Sequence, residues 1–178
     1  MELISFFSYK KKTHVYKSVE GDRDAVLALI NENRVNIYRV ARGILRNEED
    51  IKDAIQNTVI KTLEKIGTLK EEKYFKTWLI RILVNECNDI LRRNKKLLPF
   101  EEAVDNINDQ YTDRYENIDL VNAINSLPKD SRITLTLFYF DDLSIKEVSE
   151  ILEISEGTVK SRLSRARTQI KKILGGVE

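Results

Sequence analysis

Three groups of side chains in this 178-residue chain have types and spacings that could do chemistry, and in each the chemistry is recognition rather than bond making. The densest runs from Ser155 to Lys172, where six basic residues oppose only Glu156. At about 100° per residue, Gly157, Ser161, Ser164 and Arg165 point away from an apolar stripe of Val159, Leu163, Ala166 and Ile170, with Lys160 and Arg167 on the flanks. Small polar residues let a helix backbone approach a DNA groove, while Arg and Lys reach bases and phosphates. The second group is Arg81, Asn85, Asn88 and Arg92, spaced four, three and four, with Tyr74 before it and Arg93 after it. Arg and Asn on one exposed face suit phosphate and base-edge contacts, and a tyrosine can stack on an unpaired base. A solvated helix face, with Tyr74 closing a core, fits the same pattern. The third is Asp50, Asp53, Gln56 and Asn57, a polar face for a basic partner protein or an acidic first turn complementing a helix dipole.

Bond-making chemistry lacks its usual residues. One histidine (His14) and one cysteine (Cys87) leave no nucleophile–base constellation, no disulfide and no Cys-rich zinc site. The expectation is a non-enzymatic protein without metal, cofactor or small-molecule substrate. The early apolar run, Leu3 to Tyr9, is too short to span a bilayer, and its basic residues follow it rather than precede it. A cytoplasmic location is expected.

The elements that must position these groups are helices. Apolar periodicity predicts helices over Asp22–Asn33, Val35–Leu45, Asp50–Ile66 and Tyr74–Lys95, the last burying Phe75, Leu79, Ile82, Leu83, Cys87 and Ile90. Gly67 stands where a C-cap glycine belongs. Between Glu101 and Asp119 seven acidic residues face one basic residue, Arg114, with no strong periodicity, which reads as a linker. Helical pattern resumes over Leu120–Ser126 and Lys129–Phe140, with Pro128 at a first helical position. Ser144 and Glu147 form a capping box for a short helix carrying Val148, Ile151 and Leu152. Ser155 then caps the basic helix, and the pair is a helix-turn-helix. The fold expected is all-α: two small helical bundles joined by an acidic flexible linker, the C-terminal one containing the helix-turn-helix. The divisions are 1–16 (extension), 17–96, 97–117 (linker) and 118–178.

The charge total of +1 hides this organisation. From Lys76 to Lys96 six basic residues face Glu86 and Asp89, so two basic segments flank the acidic one. Such segregation, not the near-neutral sum, bears on nucleic-acid binding.

Together these stretches resemble the extracytoplasmic-function (ECF) class of bacterial RNA polymerase sigma factors, within the sigma-70 family. The run DIKDAIQNT from Asp50 to Thr58 is similar to the family's D-A-E-D-L-V-Q-E-T/A stretch. FKTWLIRILVN from Phe75 to Asn85, continuing to DILRR at Asp89–Arg93, resembles F-x-x-W-L-x-R-I-A-x-N and D-x-L-R-R. Leu127-Pro128, Leu143-Ser144, Glu147-Val148 and ISEGTVKSRLSRAR from Ile154 to Arg167 match its second domain. Two residues depart from the pattern. Glu153 stands where the family usually has glycine, at a cost on the order of 1 kcal/mol if the backbone there is left-handed. Val59 replaces a common aromatic.

The resemblance implies roles. Asp50, Asp53, Gln56 and Asn57 would bind the clamp of the polymerase largest subunit. Tyr74, Arg81, Asn85, Asn88, Arg92 and Arg93 would capture the melted −10 promoter element. The helix-turn-helix would read the −35 element through Ser155, Glu156, Gly157, Thr158, Lys160, Ser161, Arg162, Ser164, Arg165 and Arg167, and Leu120–Phe140 would meet the polymerase flap. The acidic linker would thread a basic polymerase channel. Core RNA polymerase, promoter DNA and an anti-sigma factor, in this class often membrane-anchored, are the implied partners. A one-component regulator with a ligand-sensing first bundle is the alternative; it leaves the Arg81–Arg92 stripe without a purpose.

Overall fold

The computed structural model describes residues 23–97 and 118–175, so the expected extension 1–16 and most of the acidic stretch 97–117 lie outside the described residues. Helix α1 (Arg23–Glu32) is followed by α2 (Arg34–Ile44), α3 (Glu48–Lys65) and α4 (Phe75–Leu97). The second part holds α5 (Ile118–Asn125), α6 (Lys129–Leu135), a π turn at Thr136–Phe140, α7 (Ile145–Leu152) and α8 (Glu156–Leu174). No strand occurs among the described residues.

Local chemistry explains the starts. The Asn47 side chain accepts from the Glu49 and Asp50 amides at 2.8 and 3.2 Å, and Glu48, Glu49 and Asp50 place negative charge at the positive end of α3. Helices α2, α3 and α4 then enclose Val40, Ile44, Ile51, Ala54, Leu79 and Leu83, each 3% exposed or less. Burying such side chains supplies about 2 kcal/mol apiece. In the second bundle α8 packs on α5, α6 and α7 around Ala123, Ile133, Leu137, Val148, Val159, Leu163 and Ala166.

Several details differ from expectation. The stretch Lys129–Phe140 is not one α-helix: after Leu135 it widens into the π turn, closed by the Asp141 amide donating to the Thr136 carbonyl at 3.3 Å. Pro128 is the N-cap of α6 rather than its first helical residue; its carbonyl accepts from the Ser131 and Arg132 amides, a role that needs no N–H of its own. Gly67 lies in the short 3₁₀ turn Ile66–Thr68, which extends α3 with right-handed backbone, so no left-handed cap is required of it. Ile82 is only half-buried, whereas Ile80 and Val84 on another face of α4 are fully buried.

That last difference has a structural cause. The two bundles are packed against each other, and α4 is covered on two sides: by α2 and α3, and by α7 of the second bundle. One cluster of buried apolar residues runs through both bundles. The Arg132 guanidinium, 4% exposed, enters this junction and donates to the carbonyls of Gly43 on α2 (2.8 Å), Asn125 (3.2 Å) and Leu127 (3.1 Å). A buried guanidinium is tolerated where carbonyls satisfy its donors.

Candidate nucleic-acid interface

The basic helix α8 is held by two caps and a turn. Ser144 Oγ accepts from the Glu147 amide at 3.2 Å, and Glu147 Oε2 accepts from the Ser144 amide (2.9 Å) and hydroxyl (2.7 Å), completing the expected capping box. Helix α7 ends at Glu153, whose backbone is left-handed (φ 54°, ψ 43°), the conformation at which glycine carries no penalty. Ser155 Oγ then accepts from the Thr158 amide at 3.1 Å and starts α8. Burial of Val159, Leu163 and Ala166 fixes the rotation of α8. Ser155, Glu156, Gly157, Lys160, Ser161, Ser164, Arg165 and Arg167 are thereby exposed, and Thr158 half-buried. Arg165 lies along its own helix, with Nε 3.3 Å from the Ser161 carbonyl. Arg162 is turned inward instead, its side chain 19% exposed and paired with Asp130 on α6.

On α4, Asn85, Arg92 and Arg93 are exposed, Arg92 pairing with Asp89 at 2.6 Å. Tyr74, in the 3₁₀ turn Glu72–Tyr74 before α4, is 46% exposed, with Lys73 Nζ 4.8 Å from its ring centroid. Arg81 is exposed as well and Asn88 half-buried, and both also contact the second bundle. Arg81 pairs with Glu153 at 3.5 Å, and Asn88 Oδ1 accepts from Lys129 Nζ at 3.3 Å. On α3, Asp53 and Gln56 are exposed and Asn57 is half-buried, while Asp50 accepts from the Asn94 amide of α4 at 2.9 Å.

Some polar residues of the junction left no sequence signal. Asp141, 1% exposed, has no hydrogen-bond partner on either carboxylate oxygen. Burial pushes its carboxyl up to about 6 and Asp142 adds to this, while Lys76 and Arg39 pull the other way. Burial likewise pushes the Cys87 thiol up to about 12, which leaves it a packing residue without thiolate reactivity. Among the described residues no group of three or more His, Cys, Asp or Glu could hold a metal ion, and no helix is long and apolar enough to cross a membrane.

Among the described residues, two helical bundles ending in a capped, basic helix-turn-helix define the architecture of a DNA-binding protein. Residues 29–97 match the sigma-70 region 2 family model and residues 118–170 match sigma-70 region 4. The chain is 33% identical over 159 residues to the ECF RNA polymerase sigma factor SigM of Mycobacterium tuberculosis, covering 88% of this chain and 81% of that one. It is 29% identical over 151 residues to the RNA polymerase sigma factor SigV of Bacillus subtilis, covering 84% and 91%. Among solved structures it is similar to CnrH in complex with the cytosolic domain of CnrY (TM-score 0.68, 21% identity, covering 94% of this chain and 99% of that one). It is also similar to RpoE of Bartonella quintana in complex with the anti-sigma factor NepR (TM-score 0.66, 25% identity, covering 85% and 99%). The chain belongs to the ECF sigma factors of the sigma-70 family. It is a non-enzymatic subunit that joins core RNA polymerase and promoter DNA in transcription initiation, and as such works in the cytoplasm.

Proposed function

We propose that this sigma factor divides promoter recognition between its two bundles: residues 17–96 bind polymerase and the −10 element, and residues 118–178 read the −35 element. Ser155, Glu156, Gly157, Thr158, Lys160, Ser161, Ser164, Arg165 and Arg167 form the face of α8 that enters the major groove, with Arg162 at its inner edge. The observation that carries this reading is the rotation of α8. The Val159, Leu163 and Ala166 stripe is buried, so the small and basic residues face outward together. Tyr74, Arg81, Asn85, Asn88, Arg92 and Arg93 contact the unpaired −10 strand, where binding energy of order a few kcal/mol offsets unstacking a base. Asp50, Asp53, Gln56 and Asn57 meet the polymerase clamp, α5 and α6 meet the flap, and the acidic segment 97–117 occupies a basic polymerase channel. An anti-sigma factor is the further partner, supported by the NepR-bound relative, and it would hold the protein at the membrane if itself anchored there.

The test is run-off transcription with core RNA polymerase on a promoter selected from a library randomised in both elements. Arg165→Ala should weaken −35 recognition by about tenfold, the range of one lost base or phosphate contact. Asp53→Ala should weaken polymerase binding and leave DNA binding by residues of α8 unchanged. If both substitutions impair the same step, the division of labour is wrong.

A further inference from the structure

Of the six basic side chains on α8, five are exposed: Lys160, Arg165, Arg167, Lys171 and Lys172. Arg162 is the exception. Its side chain is 19% exposed, and Nη2 donates to Oδ2 of Asp130 on α6, the helix against which α8 packs. Helical spacing explains the difference. Arg162 stands three residues after Val159, beside Leu163 and four before Ala166, so it belongs to the inward stripe. Arg165 instead lies outward along α8, with Nη2 3.4 Å from Ser161 Oγ.

Asp130 presents its carboxylate from a well-held backbone. It sits in the first turn of α6, where negative charge complements the helix dipole and Pro128 supplies no capping side chain. The Pro128 carbonyl accepts from the Ser131 and Arg132 amides at 2.9 Å, and the Asp130 carbonyl accepts from Thr134 Oγ1 at 2.6 Å. The buried Arg132 guanidinium also holds the Asn125 and Leu127 carbonyls on the approach to that turn. Apolar burial of Val159, Leu163 and Ala166 sets which side of α8 faces inward, but burial has no direction of its own. A charge-assisted hydrogen bond does, and it resists sliding and tilting of the helix on its bed.

We propose that Asp130 is a positioning residue for promoter recognition: by engaging Arg162 it fixes the height and tilt at which α8 presents Ser161, Ser164 and Arg165 to the major groove. Arg162 directs its charge to Asp130 rather than to a DNA phosphate. The proposal rests on the reading of α8 as the −35 helix and gives Arg162 a different task within it. Base-edge hydrogen bonds depend on that geometry, whereas phosphate contacts carry no sequence information. Breaking the pair therefore lowers the preference for the right −35 sequence more than it lowers affinity for DNA in general.

The test uses the full chain assembled with core RNA polymerase. Its affinity is measured for two fluorescein-labelled promoters that share a −10 element, one with a library-selected −35 element and one with that element scrambled. The ratio of the two affinities reports −35 reading alone, since partial unfolding lowers both together. Asp130→Asn and Arg162→Gln should each lower the ratio about fivefold, part of one base contact, and the double variant should lower it no further. Arg165→Ala, which removes an outward side chain, serves as the control and should lower it about tenfold. If Arg162→Gln weakens both promoters equally while Asp130→Asn tightens both, Arg162 is a phosphate contact that Asp130 opposes, and the positioning role is overturned. Additive losses in the double variant overturn it too, because the two residues then act separately. An Arg165→Ala ratio equal to that of the wild type removes the −35 reading of α8 itself. A loss at Arg165 without one at Asp130 leaves that reading standing and removes only the positioning role.

Discussion

Thr77 and Glu147 belong to different bundles, yet the Thr77 hydroxyl donates at 2.8 Å to the carboxylate that also completes the N-terminal cap of α7. Glu147 thus serves the helix-turn-helix and the junction at once. Burial pushes its carboxyl up, but the Ser144 amide and hydroxyl and the Thr77 hydroxyl outweigh this and bring it below the ordinary carboxylate range. Thr77→Val keeps the volume and removes one donor, so stability should fall by about 1 kcal/mol. Glu147→Ala removes the cap as well and should cost about 2 kcal/mol. Urea denaturation of the full chain measures both.

Glu153 holds a left-handed backbone at a C-cap. Glu153→Gly should relieve about 1 kcal/mol of strain. The exposed pair with Arg81 returns at most a fraction of that. The variant should therefore melt higher, most clearly at high salt, where the pair contributes least. A melting temperature lowered in high salt would contradict this account.

Asp141 makes the junction pH-sensitive. Its carboxyl titrates at about 6 in the folded chain and has an ordinary value of 3.8, so between those values the folded state binds more protons than the unfolded one. This contribution to stability is present in full below the unfolded value and is lost as pH rises through about 6. Asp141→Asn should raise stability at pH 7.5 by about 2 kcal/mol and flatten the pH dependence between 4 and 6. Thermal melts of both proteins across that range give the comparison.

Arg132 joins three carbonyls from two bundles while buried. Arg132→Met should cost about 3 kcal/mol, because the buried carbonyls of Gly43 and Leu127 lose a donor that water does not replace, while Asn125 keeps its bond from Arg46. Arg132→Lys should recover little, since an ammonium lacks the planar fork that reaches all three. Equilibrium unfolding of the pair ranks these losses.

The amino-acid sequence by itself determined the helical segments, the capping box at Ser144 and Glu147, and the outward face of α8. Each follows from contacts within a few residues, where the 3.6-residue repeat and the cap chemistry are decisive. It also carried the family, through motifs spread over both bundles. The left-handed turn at Glu153 was legible only by comparison with the glycine usual there. Tertiary structure alone decided that Ile80 and Val84 are buried, that Arg132 and Asp141 are interior, and that Arg81 and Asn88 face α7 and α6. The pairs Asn88–Lys129, Arg81–Glu153 and Arg132–Gly43 lie 41 to 89 residues apart in the chain, and no local periodicity encodes which second surface a helix will meet. The stripe on α4 was legible from sequence as a face, with Arg81, Asn85 and Arg92 exposed, and the packing of the second bundle decided only that Asn88 is half-buried.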